Sequence, residues 1–228
     1  MSAFVIPEPR RSVLTVQGRD GLFPVRRVYC VGRNYAAHAR EMGADPDREP
    51  PFFFSKPGDA VVPGGPIPYP PATTDLHHEV ELVVAIGRTG TKVPAAEAQG
   101  LIYGFAVGVD LTRRDLQAVA KKGGKPWDMA KGFDNSAPIG ALVPLDAFPM
   151  PEAGSITLEV NGERRQSGDL SDMIWPIPDM LAHLSDLVTL EPGDLVFTGT
   201  PEGVGAITRG DTIRAEVAGL PLLAFTLV

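Results

Sequence analysis

The sequence predicts an α+β fold, mainly β, with two or three short helices, and three observations carry that reading. The 228 residues include 25 Gly and 23 Pro, a composition that favours many turns and short elements over a helical bundle. Apolar residues gather in short runs rich in Val, Ile and Phe. Asn161–Gly162 separates two β-forming segments, and a two-residue type I′ turn needs positive φ at both central positions. The length suits one domain with a substantial core.

The elements follow in order. Residues 1–23 are Pro-containing and read as an N-terminal arm or small strand lead-in, with a single domain over 24–228. Val28–Val31 is a compact strand closed by Gly32. Asn34 is placed to cap a short helix through Met42, with Gly43 as its stop. Residues 44–75 read as a long irregular segment around one apolar patch, Phe52–Phe54, and such segments are often functional. Val80–Ile86 and Phe105–Val109 are strands, the second ending at Asp110. Thr112 and Asp115 have capping-box spacing for a helix to about Lys121. Thr157–Val160 and Glu163–Gln166 flank the Asn-Gly turn. Pro178 opens the best helical pattern, with Leu181, Leu184 and Val188 on one face. Leu195–Phe197 and Ile213–Val217 complete the strands.

Composition narrows the partners. The net charge is -7 and basic residues occur only in small groups, so nothing draws the chain to a nucleic-acid backbone. One cysteine, Cys30, excludes an intrachain disulfide and fits a reducing compartment; its apolar strand makes it a core residue rather than a nucleophile. No signal peptide or membrane span is visible, so the expected location is the cytoplasm.

The most informative stretch is His77-His78-Glu79-Val80-Glu81-Leu82. Side chains alternate along a strand, so Glu79 and Glu81 share a face. Neighbouring carboxylates repel unless a cation sits between them, and a hard divalent ion such as Mg²⁺ or Ca²⁺ prefers oxygen ligands. Asp110, at the end of an apolar run, supplies a third carboxylate. Glu-x-Glu is also the ordinary wet face of an amphipathic strand; the apolar Val80, Leu82, Val83 and Val84 argue against that. His77 and His78 lack the helical pairing or Cys cluster of a zinc site and read as structural or as supports behind the ligand residues.

Seven motifs occur in order: GRNYAAHAREMG (32–43), FFFSKPGDAVVPGG (52–65), HHEVEL (77–82), GVDLTRRDLQ (108–117), PWDMAKGFDNSAPIG (126–140), VNGERRQSG (160–168) and GDLVFTGTPEGVG (193–205). As an ordered set they resemble the fumarylacetoacetate hydrolase family in its compact bacterial form, and DPDREPPFFFSKP (45–57) resembles the fumarylpyruvate hydrolases of gentisate breakdown. The resemblance implies a mixed β-roll or barrel, usually a homodimer, with Mg²⁺ or Mn²⁺ on Glu79, Glu81 and Asp110 (Ca²⁺ is acceptable to the same oxygens). It further implies catalytic roles for a lid pair, His38 and Glu41, and for Lys131. Arg114, Gln117 and Thr200 fall at positions that line the substrate pocket.

The implied reaction is cleavage of the C–C bond of an acylpyruvate, a small 2,4-dioxo acid, with fumarylpyruvate giving fumarate and pyruvate. Rival reactions on the same scaffold are oxaloacetate decarboxylation and 2-hydroxydienoate isomerisation; a non-catalytic metal-binding scaffold protein is the rival from another class. Taken alone, His38 and Glu41 are also an ordinary i,i+3 pair, and Lys131 a surface lysine or a partner of Asp128 or Asp134. If the substrate has a distal carboxylate, Arg48, Lys56 and Lys122 are the candidate cations.

Overall fold

The structure, a computed structural model, describes residues 4–36 and 50–228. Its largest sheet has six strands, in the order Val143–Pro144, Ile102–Val109, Val80–Ile86, Leu195–Phe197, Val28–Gly32 and Phe52–Lys56. Neighbours are antiparallel except Leu195–Phe197 and Val28–Gly32, which run parallel. Every residue of Val80–Ile86 is buried. A strand covered on both faces must be apolar throughout, which is why this run shows no alternation beyond Glu81. Val80, Leu82, Val84 and Ile86 face one apolar cluster, and Val83 and Ala85 face another.

The first cluster lies between this sheet and a five-stranded one, ordered Glu163–Asp169, Ser155–Val160, Thr212–Val217, Leu223–Leu227 and Gly65–Ile67. Ile156, Leu158, Ile213, Ala215 and Phe225 supply its inner face. Helix Ile177–Leu187 adds Ile177, Met180, Leu181 and Leu184 to the same core, as the spacing of its apolar residues requires. The second cluster is covered by the antiparallel pair Val13–Thr15 and Leu22–Pro24, through Leu14 and Phe23, and by Val16 just beyond the first strand. Burying so many Val, Ile, Leu and Phe side chains, each contributing about 1.5–3 kcal/mol, provides the stability against which the charged site must be held.

The hairpin forms as expected, with Asn161 at φ 53 and Gly162 at φ 82. Three expectations change. The roll is mixed but does not close into a barrel: the six-stranded sheet ends on the edge strands Val143–Pro144 and Phe52–Lys56. The 50–75 part of the supposed irregular segment holds the short strands Phe52–Lys56, Val61–Val62 and Gly65–Ile67. Its prolines break the pairing into pieces without abolishing it. No Thr112–Asp115 capping box forms: Thr112 sits in a strand, and helix Arg114–Lys122 starts without a side-chain cap. The Asp115 carboxylate instead accepts hydrogen bonds from Thr73, Thr74 and the Leu116 amide. The helix expected after Asn34 lies almost wholly outside the described residues. Asn34 itself ties neighbouring segments together, donating to the Trp175 and Thr198 carbonyls and accepting from the Trp175 amide.

Candidate active site

Glu79 lies between the strand Leu76–His78 of a small three-stranded sheet and the strand Val80–Ile86 of the large one. The Asp110 amide donates to the Glu79 carbonyl at 2.8 Å, which fixes the ends of two paired strands side by side. Glu79, Glu81 and Asp110 thus converge: all three are buried, and one ligand oxygen from each lies within 4.8 Å of the others. This is the triad expected from the sequence. An oxygen-only donor set of this size fits a hard divalent cation.

The electrostatics point the same way. Burial pushes the Glu81 carboxyl well above its ordinary pKa, and the neighbouring charges of Asp110 and Glu79 add to the effect. The Gly199 amide, donating to Glu81 Oε2 at 2.6 Å, and the Lys131 charge oppose the shift without cancelling it. Positive charge between the carboxylates would relieve it.

Two buried lysines flank the triad. Lys131 Nζ donates to Glu79 Oε2 at 2.8 Å, to Asp110 Oδ2 at 2.7 Å and to Thr112 Oγ1 at 2.7 Å. Burial alone would lower its pKa, but Asp110 and Glu79 outweigh that and hold the ammonium above the usual lysine value. Lys131 is therefore neither on the surface nor paired with Asp128 or Asp134. Lys56 Nζ lies 2.7 Å from Asp110 Oδ1 and donates to the carbonyls of Leu111 and Lys131. It braces the triad from behind, so it is withdrawn as a cation for a distal carboxylate. A buried lysine ending the strand Phe52–Lys56 requires an anionic partner, and that requirement was the available sequence signal.

Arg114 completes the charged floor. Its guanidinium donates to Glu79 Oε1 at 2.6 Å, Gln117 Oε1 at 2.5 Å and His77 Nδ1 at 3.3 Å. Burial and the Arg114 charge lower the His77 pKa, consistent with a neutral ring that accepts at Nδ1 and contacts Asp75 through Nε2 at 2.9 Å. Burial also pushes His78 down to about 4. Its Nδ1 lies 2.9 Å from Gln166 Oε1; because that oxygen can only accept, the ring nitrogen is the donor. The Gln166 amide nitrogen donates to Thr200 Oγ1 and the Pro201 carbonyl, fixing the Thr200 loop. Neither histidine belongs to the acidic triad; His77 supports Arg114, and His78 is tied to Gln166.

One pocket is lined by Glu79, Glu81, Arg114, Gln117, Lys131 and Thr200 together. Its remaining wall includes Arg33, Phe52, Phe54 and Trp127, none of them expected from sequence as site residues. Trp127 packs edge-on against Phe52 with centroids 5.5 Å apart. The lid pair His38 and Glu41, and Arg48, lie outside the described residues. Cys30 is fully buried, and burial raises its thiol pKa, in keeping with a core role. Among the described residues no helix is long and apolar enough to cross a membrane.

Comparison with known proteins agrees with this geometry. The model for the fumarylacetoacetate hydrolase C-terminal domain matches residues 27–228. A crystal structure of fumarylpyruvate hydrolase from Pseudomonas aeruginosa, in complex with Mn²⁺ and pyruvate, superposes with a TM-score of 0.97 at 49% identity, covering 99% of each chain. A 5-carboxymethyl-2-hydroxymuconate delta-isomerase from Mycobacterium smegmatis superposes with a TM-score of 0.79 at 40% identity, over 90% of this chain and 79% of that one. The mitochondrial oxaloacetate tautomerase of Rattus norvegicus is 45% identical over 201 residues, 88% of this chain and 90% of the relative. With a family model spanning nearly the whole chain and the acidic triad built as its motifs imply, this protein belongs to the fumarylacetoacetate hydrolase family.

Proposed function

We propose that the chain is a divalent-metal-dependent acylpyruvate hydrolase whose preferred substrate is fumarylpyruvate, cleaved to fumarate and pyruvate. The observation that carries this is the gathering of Glu79, Glu81, Arg114, Gln117 and Lys131 in one pocket, in a chain superposable end to end on a fumarylpyruvate hydrolase holding Mn²⁺ and pyruvate. In this reading Glu79, Glu81 and Asp110 hold Mg²⁺ or Mn²⁺, which when bound supplies Lewis-acid stabilisation of negative charge developing on the substrate. Arg114 and Gln117 bind the carboxylate of the 2-oxo acid end. Lys131 places a fixed positive charge where the enolate of pyruvate forms, and Thr200 offers a hydroxyl to the same end.

The chemical step follows from the substrate. His38, oriented by Glu41, takes a proton from water as the oxygen adds to the distal carbonyl carbon. The tetrahedral centre collapses to a carboxylic acid, the C–C bond breaks, and its electron pair passes to the pyruvate enolate. Return of the proton to carbon gives pyruvate. The same reading takes the enzyme to be a cytoplasmic homodimer. A second reading, favoured by the 45% identity to an oxaloacetate tautomerase, is enol–keto chemistry on oxaloacetate. That reaction moves a proton and needs no attacking water.

Loss of the diketone-enol absorbance tests the proposal, with fumarylpyruvate, acetylpyruvate and oxaloacetate run in parallel, with and without EDTA. We expect EDTA-sensitive turnover of fumarylpyruvate that collapses in His38→Ala. Turnover of oxaloacetate alone, indifferent to His38→Ala, would overturn the hydrolase. No metal-dependent turnover of any of the three would point instead to a non-catalytic metal-binding protein.

A further inference from the structure

Arg114 has a long, flexible side chain, yet every nitrogen of its guanidinium meets a partner. Nε donates to His77 Nδ1 at 3.3 Å, one terminal nitrogen to Gln117 Oε1 at 2.5 Å and the other to Glu79 Oε1 at 2.6 Å. A guanidinium carries five N–H groups and no acceptor, so among the described residues one N–H on each terminal nitrogen is left for a ligand. The first turn of its helix is held as well. The Arg114 amide donates to the Asp75 carbonyl at 2.8 Å, and the Asp115 carboxylate accepts from the Thr73 hydroxyl and the Thr74 amide. Residues 73–77 thus cradle Arg114, and His77 is the member that reaches its guanidinium.

These bonds run in a single direction. Because Arg114 Nε can only donate, His77 Nδ1 must accept, and the ring proton belongs on Nε2. Nε2 lies 2.9 Å from Asp75 Oδ1, an acceptor placed to receive that proton. At the other end Arg114 can only donate to Gln117, so the Gln117 oxygen faces the guanidinium and its NH₂ is the end left for the pocket that both residues line. The Asp75 side chain is 42% exposed and that of His77 19%, so neither is there to fill the core. Neither lines the pocket. What the pair contributes is orientation.

We propose that Asp75 and His77 are positioning residues: Asp75 fixes the tautomer of His77, and His77 fixes Arg114 and through it Gln117, so that only donor groups face the carboxylate of a 2-oxo acid. The proposal rests on the acylpyruvate reading above and deepens it, by naming what holds the two residues that grip the 2-oxo acid end. Donors held in place before the ligand arrives lose little freedom on binding it. That carboxylate keeps its charge from bound substrate to product. A loosened Arg114 therefore weakens substrate and transition state alike, and the effect belongs in KM rather than kcat.

Calorimetric titration of pyruvate into the Mn²⁺-loaded protein tests this without turnover. His77→Asn and His77→Gln form the decisive pair, because the Asn amide oxygen can sit where Nδ1 sits, whereas the longer Gln places its amide at the Nε2 position. The pyruvate Kd is expected to rise about tenfold in His77→Gln and His77→Leu, the scale of one misplaced charge-assisted contact, and to stay within about threefold of wild type in His77→Asn. Asp75→Ala, at the exposed end of the relay, should give a smaller loss in the same direction. The Mn²⁺ Kd should change less than the pyruvate Kd in every variant. In turnover the same factors should appear in KM, with kcat within about twofold of wild type. Long-range proton–nitrogen NMR of the metal-free protein should find the His77 ring proton on Nε2. A ring proton on Nδ1, equal losses in His77→Asn and His77→Gln, or pyruvate losses that Mn²⁺ binding matches would each overturn the relay. The expected binding pattern in a protein that cleaves no acylpyruvate would keep the relay and overturn the hydrolase, and a wild type that binds no pyruvate would overturn both.

Discussion

The acidic corner around Glu79 and the hairpin Ser155–Asp169 are both strand structures, yet their sequences obey different rules. In the hairpin each residue does what its neighbourhood favours: Ile156, Leu158 and Val160 fill the core, and Asn161–Gly162 makes the turn. The corner works against local preference, burying three carboxylates and two lysines where apolar residues would pack without penalty. Lys131 and Lys56 offset that penalty, but Glu81 is left with burial and two like charges pressing on it. Local consistency marks a stretch that serves stability, and its violation marks one that serves chemistry.

The largest effect that could break this comparison is Glu81→Gln. If the corner serves chemistry, removing the Glu81 charge should lower turnover by about 10³-fold or more, several kcal/mol of transition-state stabilisation. Without metal, the variant should unfold at the same temperature as wild type or higher, because like-charge repulsion is relieved. Mn²⁺ at a hundred times its Kd should stabilise the wild type by about 2.7 kcal/mol and the variant far less. Differential scanning calorimetry with and without Mn²⁺ checks both statements. A metal-free variant that is strongly destabilised would show the corner to be structural after all.

Gln166 joins the two regions, because it grows from the hairpin and holds the site. Its Oε1 meets His78 Nδ1 and accepts from the Val80 amide, while its Nε2 donates to Thr200 and Pro201. Gln166→Leu should cost about 3 kcal/mol in chemical unfolding, since buried donors lose their acceptor. It should also raise KM as the Thr200 loop shifts, whereas Leu158→Ala at the same sheet should cost similar stability and leave KM alone. Identical KM values in the two variants would show that Gln166 serves the fold only.

These contrasts explain what could be read from the chain. The strand around Val80–Ile86, the hairpin and helix Ile177–Leu187 were legible because period and turn chemistry are local. Glu79, Glu81 and Asp110 were legible because charge inside an apolar run is anomalous. Lys56 was misassigned because its partner, Asp110, lies 54 positions away in the chain. Arg33 and Phe52 come together through the pairing of Val28–Gly32 with Phe52–Lys56, and Trp127 joins them from the start of the short helix Asp128–Lys131, contacts between segments far apart in the chain. Thr112 looked like a cap because Ser and Thr favour helix starts, but its hydroxyl is held by Lys131.

The smallest effect tests the opposite pole. Asn161 takes φ 53 at the first position of the hairpin turn, where Asn is tolerated because its short polar side chain bonds locally. Here that side chain donates to Asp211 Oδ1 at 2.7 Å and accepts from the Thr212 amide at 2.9 Å. Asn161→Ala loses both bonds and meets the left-handed penalty, so about 1–2 kcal/mol of stability should go in urea unfolding. Because the turn is exposed and contributes nothing to the pocket, kcat/KM for every substrate should stay within about twofold of wild type, a difference below about 0.4 kcal/mol. A loss of activity larger than the loss of stability would mean that strain in the hairpin reaches the acidic corner through Gln166, and the division between the two regions would have to be given up.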